Sequence, residues 1–396
     1  MYRHLGLKSI RRYGSGQYMQ QTILIGNGWN PYLFREEIRS LVGYDQIIHP
    51  RILSITSDNS LQNLSKSALL DDNLKNAEIL YNVPSNFTEE KLSEIIMKWA
   101  IKNLPTGSFA IRSRKIGERI SLLSRKKIEK EVGASLMSQQ NIVNLENPEY
   151  EVVVVLAGLE DISSREIEFD KLTPVIVWGL RTPIDNNRQF ESRSPIDRPF
   201  FKPVSLEPRL ARLMISLSHK PDYSPSIIID PFCGTGGIAI EASLQGIQVL
   251  ASDLDTEMTE GTIRNLEWSK GDGKFIVKHC GVEDISSIWG KNIQTSFVFD
   301  PPYGRNAWKS NDGLDLFLEA LKSANYINPN GTICTMLPTV PEFINDHSSE
   351  KYLVMGKKWH DLELLIVNTG WSVVFKYPIK VHRSLARLIL VCHPLH

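Results

Sequence analysis

Residues 226–239, with the sequence SIIIDPFCGTGGIA, combine an apolar run, an aspartate and a glycine-rich turn. The apolar run predicts a strand that ends at Asp230, and the turn that follows leads into a helix. Glycine has no side chain and tolerates positive φ, so a ligand can come close to the backbone of such a turn. The ligand is expected at the carboxyl end of the strand, where open α/β sheets bind their ligands.

The kind of ligand follows from the spacing around this turn. Gly234 and Gly236 do not fit the dinucleotide pattern G-x-G-x-x-G, and no Walker lysine is present. Asp253 follows seventeen residues after Gly236, at the end of the next predicted strand. A carboxylate there can accept hydrogen bonds from both ribose hydroxyls of an adenosine. The alternative is an ordinary strand-to-helix turn with an N-cap aspartate, and it becomes less attractive when Asp230, the loop and Asp253 are taken together.

A second candidate site lies in SFVFDPPYGR (296–305). Its predicted strand ends at Asp300, and the two prolines stiffen the backbone because they continue neither a helix nor a sheet. The Asp300 carboxylate and the Pro301 carbonyl could each accept one N–H of an exocyclic base amine and aim its lone pair at a methyl donor. Tyr303 could stack on the extruded base. A plain Pro-Pro turn is the alternative, but the segment follows the fourth strand of a set whose first strand carries the glycine loop.

The region from about Leu206 onward alternates strands and helices, which predicts a mostly parallel sheet covered on both faces. The last two strands are joined by a short turn, so one of them should be antiparallel. The predicted strands are Ile227–Asp230, Gln248–Ser252, Phe275–Lys278, Ser296–Asp300, Thr332–Leu337, Trp371–Tyr377 and Leu385–Cys392.

The region before it predicts smaller α/β units and a proline-rich linker at 163–204, which holds one short strand, Val175–Leu180. The other predicted strands are Thr22–Gly26, Ile47–Ile55, Ser108–Arg112 and Glu151–Leu156. The predicted helices are Asn30–Leu41, Ser60–Leu70, Thr88–Lys102 and Gly117–Val132.

Composition excludes several classes of protein. No apolar run approaches the roughly 18 residues of a membrane span, and the basic N-terminus lacks the apolar core of a signal peptide, so a cytoplasmic location is expected. The four cysteines stand far apart without a CxxC pair, which argues against a zinc knuckle and a disulfide scaffold. The only metal site that can be drawn, from Cys392, His393 and His396, lies at the chain end, and we predict no metal.

Charge is balanced overall, with 45 basic and 45 acidic residues, but it is uneven along the chain. Residues 102–131 hold nine basic and three acidic side chains, the pattern expected of phosphate contacts, although a solvated helix face is the alternative. Arg112 and Arg114 are predicted to share one face of a strand. Arg119, Lys126 and Lys130 are predicted to share one sector of a helix, and the predicted RNA-binding residues are Arg112, Arg114, Lys115, Arg119, Lys126 and Lys130.

Several of these motifs resemble those of known families. DPFCGTGG (230–237) with DPPYGR (300–305) resembles amino-methyltransferases of the Rossmann-like class. SFAIRSRKIG (108–117) and NIVNLENPEYEVVVVL (141–156) resemble a THUMP domain. SPIDRPFFKPVSLEPRLARLMISL (194–217) and VHRSLARLILV (381–391) are similar to segments of archaeal tRNA guanine-N2 methyltransferases that act at guanosine 10. The likeness covers most of the chain after residue 80, and the first eighty residues match a ferredoxin-like unit only weakly.

The resemblance implies an α/β protein of three domains and one linker. These are a ferredoxin-like unit at 1–82, a THUMP domain at 83–162, the linker at 163–204 and a Rossmann-like methyltransferase domain with a mostly parallel seven-stranded sheet at 205–396. It implies S-adenosyl-L-methionine as cofactor, with contacts from Asp230, Pro231, Gly234, Gly236, Asp253, Gly281 and Val282. One departure is that Gly281 stands where many relatives have an acidic residue near the adenine, so the adenine contacts come from the backbone, Glu283 or Asp284.

The function implied is transfer of methyl groups to the exocyclic N2 of a tRNA guanosine, giving mono- and dimethylguanosine. Asp300 would hold the amine, and the THUMP domain would bind the acceptor end of tRNA. The alternatives are N2 methylation at another tRNA position or on ribosomal RNA, adenine-N6 methylation of DNA, and an RNA-binding protein with a degenerate enzyme domain. A monomer that binds tRNA, and neither DNA nor membrane, is expected.

Overall fold

The computed structural model describes residues 21–55, 61–120, 123–138, 140–160, 173–183, 190–203, 205–291, 294–302, 312–341, 352–382 and 385–395, without the side chains of residues 312, 382 and 385. Two sheets organise this part of the chain, a mixed one in the N-terminal half and a mostly parallel one in the C-terminal half. Within these residues, no helix has the length and apolar character needed to span a membrane.

The N-terminal half forms one mixed sheet in the order β2-β3-β1-β4-β8-β7-β5-β6. Its strands are β1 (Gln21–Gly26), β2 (Gln46–His49), β3 (Ile52–Ile55), β4 (Leu70–Leu80), β5 (Gly107–Ile116), β6 (Asn141–Val143), β7 (Tyr150–Ala157) and β8 (Val175–Arg181). The strand predicted inside the linker is confirmed as β8, and it lies in the middle of the sheet between β4 and β7. The sheet is therefore continuous across residue 82, and the predicted domain boundaries stay a prediction.

Three helices pack on this sheet: α1 (Pro31–Leu41), α2 (Glu89–Asn103) and α3 (Arg125–Leu136). α1 begins as its sequence predicts, because the Asn30 side chain accepts a hydrogen bond from the Leu33 N–H and Pro31 occupies the first turn. The predicted helix Gly117–Val132 is wrong in its first half. Gly117 has φ +64°, and the Glu118 N–H pairs with the Leu159 carbonyl after β7, so Arg119 precedes the helix.

Two other predictions near the N-terminus are also wrong in detail. The predicted strand Ile47–Ile55 is a hairpin of β2 and β3, because Pro50 has no N–H to continue the ladder. The predicted helix at 60–70 is only a short 3₁₀ turn, Leu61–Lys66. It ends there because the Glu37 carboxylate accepts hydrogen bonds from the next backbone N–H groups, those of Ala68 and Leu69.

The C-terminal half begins with α4 (Pro208–Leu217) and forms the sheet β11-β10-β9-β12-β13, which β17 and β16 extend. Its strands are β9 (Ile227–Asp230), β10 (Gln248–Asp253), β11 (Phe275–His279), β12 (Thr295–Phe299), β13 (Ile333–Thr339), β14 (Leu353–Val354), β15 (Lys357–Lys358), β16 (Trp371–His382) and β17 (Leu385–Pro394). Its helices after α4 are α5 (Gly237–Ser243), α6 (Thr256–Ser269), α7 (Ile285–Trp289), α8 (Asp312–Ile327) and α9 (Trp359–Val367).

The predicted parallel strands and the antiparallel strand at the end of the chain are confirmed, but the predicted number of seven strands is wrong. Among the described residues the sheet has nine strands, because the two-residue strands β14 and β15, which are too short to show a periodic pattern, pair beside β13. β9 to β13 pair in parallel, and β17 runs antiparallel to both β13 and β16. The order reverses at β9, with β10 on one side and β12 on the other. Open α/β sheets bind ligands at such a reversal, outside the carboxyl ends of the strands. The fold therefore places the glycine turn after β9 beside Asp300 after β12.

The two halves are packed together through α1. Tyr32 stacks on Tyr377 of β16 at 5.0 Å between ring centroids, and on Phe375 at 5.9 Å. Lys66 donates to the Ser224 hydroxyl at 2.7 Å. One hydrophobic cluster runs without interruption from α1 to α4 and the core around β9. These contacts hold the mixed sheet at a defined position on the C-terminal half.

The segment that precedes α4, residues 190–207 and called the joining segment below, is anchored by buried charges. Arg193 and Arg212 both bind the Glu241 carboxylate of α5, at 2.9 Å each, and all three side chains are at most 7% exposed. Removing one partner of such a cluster would leave a buried charge without compensation, which typically lowers the free energy of unfolding by about 3–5 kcal/mol. The cluster thus ties the joining segment to the helix that follows the glycine turn.

Two buried histidines predict loss of stability in acid. Burial and, to a smaller extent, the nearby Arg51 together lower the pKa of His49 from 6.5 to about 4, although a hydrogen bond with the Gly158 carbonyl opposes the shift. Burial lowers the pKa of His219 to about 3, and Lys66 adds to the effect. The unfolded chain therefore binds more protons than the folded one below pH 6.5, so stability is complete above that pH and falls as the pH drops towards 4. Each histidine contributes up to about 1.4 kcal/mol per pH unit.

Urea unfolding between pH 7.5 and pH 5.5 measures this dependence. The variant with His49→Gln and His219→Gln should show a shallower slope of unfolding free energy against pH than the parent protein. His360→Gln, at an exposed position, should keep the parent slope. Equal slopes in the parent and in the double variant would contradict the assignment.

Candidate active site

Three aspartates meet at the carboxyl ends of adjacent parallel strands. Asp230 ends β9, Asp253 ends β10, and Asp300 follows β12. Burial raises the pKa of Asp230 well above its usual range, and the charges of Asp253 and Asp300 raise it further, although a hydrogen bond from the Phe232 N–H opposes the shift. Asp300 therefore faces the same edge of the sheet as the glycine turn, and the neutral form of Asp230 is favoured there.

The glycine turn has one crowded side and one open side. Gly236 lies in the left-handed region at φ +79°, and a Cβ there would come within 3.0 Å of the Thr262 side chain. Gly234 is also left-handed, at φ +51°, but a Cβ at this position would meet nothing within 4 Å. The space beside Gly234 is therefore where a ligand can approach the backbone.

The Asp253 carboxylate closes the turn. Its Oδ2 accepts a hydrogen bond from the Gly234 N–H at 2.9 Å, and its Oδ1 accepts one from the Asp255 N–H at 3.0 Å. Each carboxylate oxygen has a further lone pair for a ligand hydroxyl. Asp253 can therefore shape the turn and bind a ribose at the same time.

Side chains behind the turn hold its carbonyl groups. The Thr262 hydroxyl donates to the Gly234 carbonyl at 2.8 Å, and the Asn265 amide donates to the Thr235 carbonyl at 2.9 Å. Asn265 also exchanges two hydrogen bonds with the backbone of Phe200 in the joining segment. The joining segment thus supports the turn from behind, a role that the sequence did not reveal.

The residues after β11 complete the edge. Gly281 and Val282 are buried, as is Pro231 in the glycine turn. A Cβ at position 281 would collide with the Glu283 carboxylate, which folds back over this glycine. The Cys280 N–H donates to the Asp253 carbonyl at 3.1 Å, which brings this segment beside Asp253. Glycine at 281 therefore leaves the room that Glu283 occupies.

Asp300 has a partner that the sequence analysis missed. Arg387 of β17 donates from Nη1 to Asp300 Oδ2 at 2.5 Å, and each of the two side chains is 16% exposed. The sequence feature that could have indicated this partner is the VHRSLARLILV segment. Its resemblance to the family did not assign a role to its arginines. Pro301 is buried and Pro302 exposed, while Tyr303 lies outside the described residues.

The predicted RNA-binding residues fall into two groups. Arg112 binds the Glu151 carboxylate at 2.8 Å. Arg114 binds Asp71 and Asp72 at 2.8 and 2.5 Å. These two arginines link strands of the mixed sheet, so they are engaged within the protein.

The second group is exposed. A groove of about 310 Å³ beside the beginning of α3 is lined by four basic side chains, those of Lys115, Arg119, Arg125 and Lys126. The Glu89 carboxylate of α2 accepts a hydrogen bond from the Ser124 N–H at the amino end of α3, so the anion-binding character of the groove comes from its four basic side chains and not from the helix end. Lys130 is exposed one turn further along the helix.

Within the described residues, no group of three or more His, Cys, Asp and Glu side chains is placed to bind a metal.

Comparison with known proteins identifies the family. Residues 195–363 match the UPF0020 model, described as an RMKL-like methyltransferase domain. The tRNA (guanine(10)-N2)-dimethyltransferase of Methanothermobacter thermautotrophicus is 32% identical over 72% of each chain. That of Pyrococcus abyssi is 28% identical, over 74% of this chain and 76% of its own. The crystal structure of TrmN from Thermus thermophilus is 17% identical and covers 95% of this chain and 100% of its own, with a TM-score of 0.46. The chain belongs to the tRNA (guanine(10)-N2)-dimethyltransferase family.

Proposed function

We propose that this protein transfers methyl groups from S-adenosyl-L-methionine to N2 of guanosine 10 in tRNA and makes both mono- and dimethylguanosine. Family membership supports the reaction and the substrate. The observation that carries the proposal for this chain is the shared edge. The Asp-Pro-Pro corner at Asp300 opens beside the glycine turn and Asp253, so donor and acceptor can meet there.

The residues present fit the methyl donor. The open side of Gly234 accommodates a ligand against the backbone, and Asp253 offers free lone pairs to the ribose hydroxyls. Glu283 lies over Gly281, where its carboxylate is available to the adenine amine in place of an acid at 281. The bound donor supplies a methyl group on a sulfonium, and transfer forms the N2–C bond while the S–C bond breaks and leaves its electron pair on sulfur.

The acceptor corner has to prepare a weak nucleophile. The lone pair of the guanine amine is delocalised into the ring, and hydrogen bonds from the amine to Asp300 and the Pro301 carbonyl would turn it towards the methyl group. Tyr303 is proposed to stack on the base, as the motif suggests. After transfer the nitrogen loses one proton to water, for which no strong base is needed. Holding the two reactants in position supplies most of the rate.

The basic groove is the proposed site for tRNA phosphates. Lys115, Arg119 and Lys126 are exposed and line it together. Arg112 and Arg114 are less suited to RNA because they already bind acidic side chains. We assign this half to a THUMP domain that follows a ferredoxin-like unit, and we expect a cytoplasmic monomer.

Removing charge from the groove should weaken binding of tRNA without slowing the chemistry. With Arg119→Gln and Lys126→Gln together, the affinity for tRNA should fall about tenfold or more, and the salt dependence should lose roughly one unit of slope per lost phosphate contact. The rate at saturating tRNA should stay the same. Fluorescence titration at several salt concentrations measures both quantities.

Arg112→Gln is the control for that experiment, because it removes a positive charge from an arginine that is bound to Glu151. It should leave the salt slope unchanged. An equal loss of slope in this control would move the phosphate site to the sheet face.

The function is tested with labelled S-adenosyl-L-methionine and a tRNA transcript that carries guanosine at position 10. The expected products are N2-methyl- and N2,N2-dimethylguanosine, and a transcript with adenosine at position 10 should remain unlabelled. Label in the changed transcript, in ribosomal RNA or in DNA adenine would favour the corresponding alternative substrate. Failure to bind the donor in calorimetry would favour a non-catalytic RNA-binding protein.

A further inference from the structure

The ion pair between Arg387 and Asp300 joins residues that are 87 positions apart in the chain. Arg387 lies near the beginning of β17, opposite Pro338 of β13. Because β17 runs antiparallel to its neighbour, its first residues lie at the edge where the parallel strands end. An arginine at this point can therefore reach past β13 to the end of β12, where Asp300 stands.

The contact changes what the Asp300 carboxylate can do. The torsion between Cβ and the carboxylate of an aspartate is broad, so an unrestrained group samples many orientations. A guanidinium bound to Oδ2 restricts that rotation, and the carboxylate still has lone pairs for the N–H of a substrate amine. Asp253 is restrained in a comparable way by two backbone N–H groups.

The charges around Asp300 also support a role for Arg387. Burial and the neighbouring carboxylates favour the neutral form of Asp230, while Asp300 lies against a guanidinium at 16% exposure. The guanidinium keeps Asp300 ionised, so that it acts as an acceptor and not as a donor towards the amine. This is the state that the proposed chemistry requires.

We propose that Arg387 is a positioning residue for methyl transfer, which holds the Asp300 carboxylate ionised and oriented towards the amine of the target guanine. This role rests on the proposed function of Asp300. Arg387 acts through the carboxylate and is not assigned a contact with substrate or donor.

The test compares Arg387→Met, which removes the charge and the donors, with Arg387→Lys, which keeps the charge without the planar fork. Single-turnover methylation of tRNA should slow about 10²-fold in the methionine variant and less in the lysine variant. Affinities for donor and for tRNA should stay within about threefold of the parent values. Lys322→Met, in a surface pair with Glu319 of α8, is the control and should retain the parent rate.

A double-mutant cycle with Asp300→Ala separates positioning from general stability. If Arg387 acts through Asp300, then Arg387→Met should cause no further loss of rate in the Asp300→Ala background. A full multiplicative loss there, or a parent rate in Arg387→Met alone, would overturn this role and leave the proposed function intact. An inactive parent enzyme would overturn both. If the Arg387→Met variant unfolds, the same double-mutant cycle is measured with Arg387→Lys in its place.

Discussion

Replacing Asp300 with alanine is expected to lower the rate of methyl transfer to tRNA by about 10³-fold, while binding of S-adenosyl-L-methionine stays measurable. The substitution removes the acceptor that is proposed to turn the guanine amine towards the donor. It does not remove the contacts of the glycine turn, which are made by Asp253, Thr262 and Asn265. Single-turnover assays and calorimetry with the donor check the two halves of this expectation.

The controls address the ion pair that the substitution breaks. Asp300→Asn keeps the size of the side chain, so no cavity forms beside Arg387. Asp272→Ala removes an exposed aspartate before β11, at the opposite edge of the sheet, and should leave activity unchanged. A parent rate in Asp300→Ala, with thermal stability preserved, would exclude Asp300 from the chemistry.

Replacing Asp253 with alanine is expected to weaken binding of the donor by about 10²-fold or more. The carboxylate would be lost both as acceptor for the Gly234 N–H and as acceptor for the ribose, and hydrogen bonds to charged groups contribute about 1.5–3 kcal/mol each. Affinity for tRNA should not change, since the basic groove lies in the other half of the chain. Calorimetry with S-adenosylhomocysteine measures the effect without turnover.

Asp253→Asn refines the same experiment. Its amide keeps one acceptor oxygen, so donor affinity should lie between those of the parent and the alanine variant. Unchanged affinity in both variants would show that this carboxylate does not bind the ribose. Asp272→Ala serves again as the control for loss of one aspartate.

The sequence was most informative where structure is local. The apolar run before Asp230, the glycine turn and the alternation of strands and helices after Leu206 each have a short-range signature, and the parallel part of the sheet that they predict is observed. The same patterns failed at Gly117–Val132. There the backbone of Glu118 pairs with Leu159 and a local helical pattern loses to a contact across the fold.

The amino-acid sequence by itself determined the parallel sheet and the place of Asp230, Asp253 and Asp300 at its strand ends, because periodicity and turn residues act between near neighbours. Only the tertiary structure decided which basic side chains remain exposed and which are bound to acidic side chains. Arg114 meets Asp72, and Arg387 meets Asp300, across strands far apart in the chain. Such pairs depend on strand order and register, which no local pattern encodes.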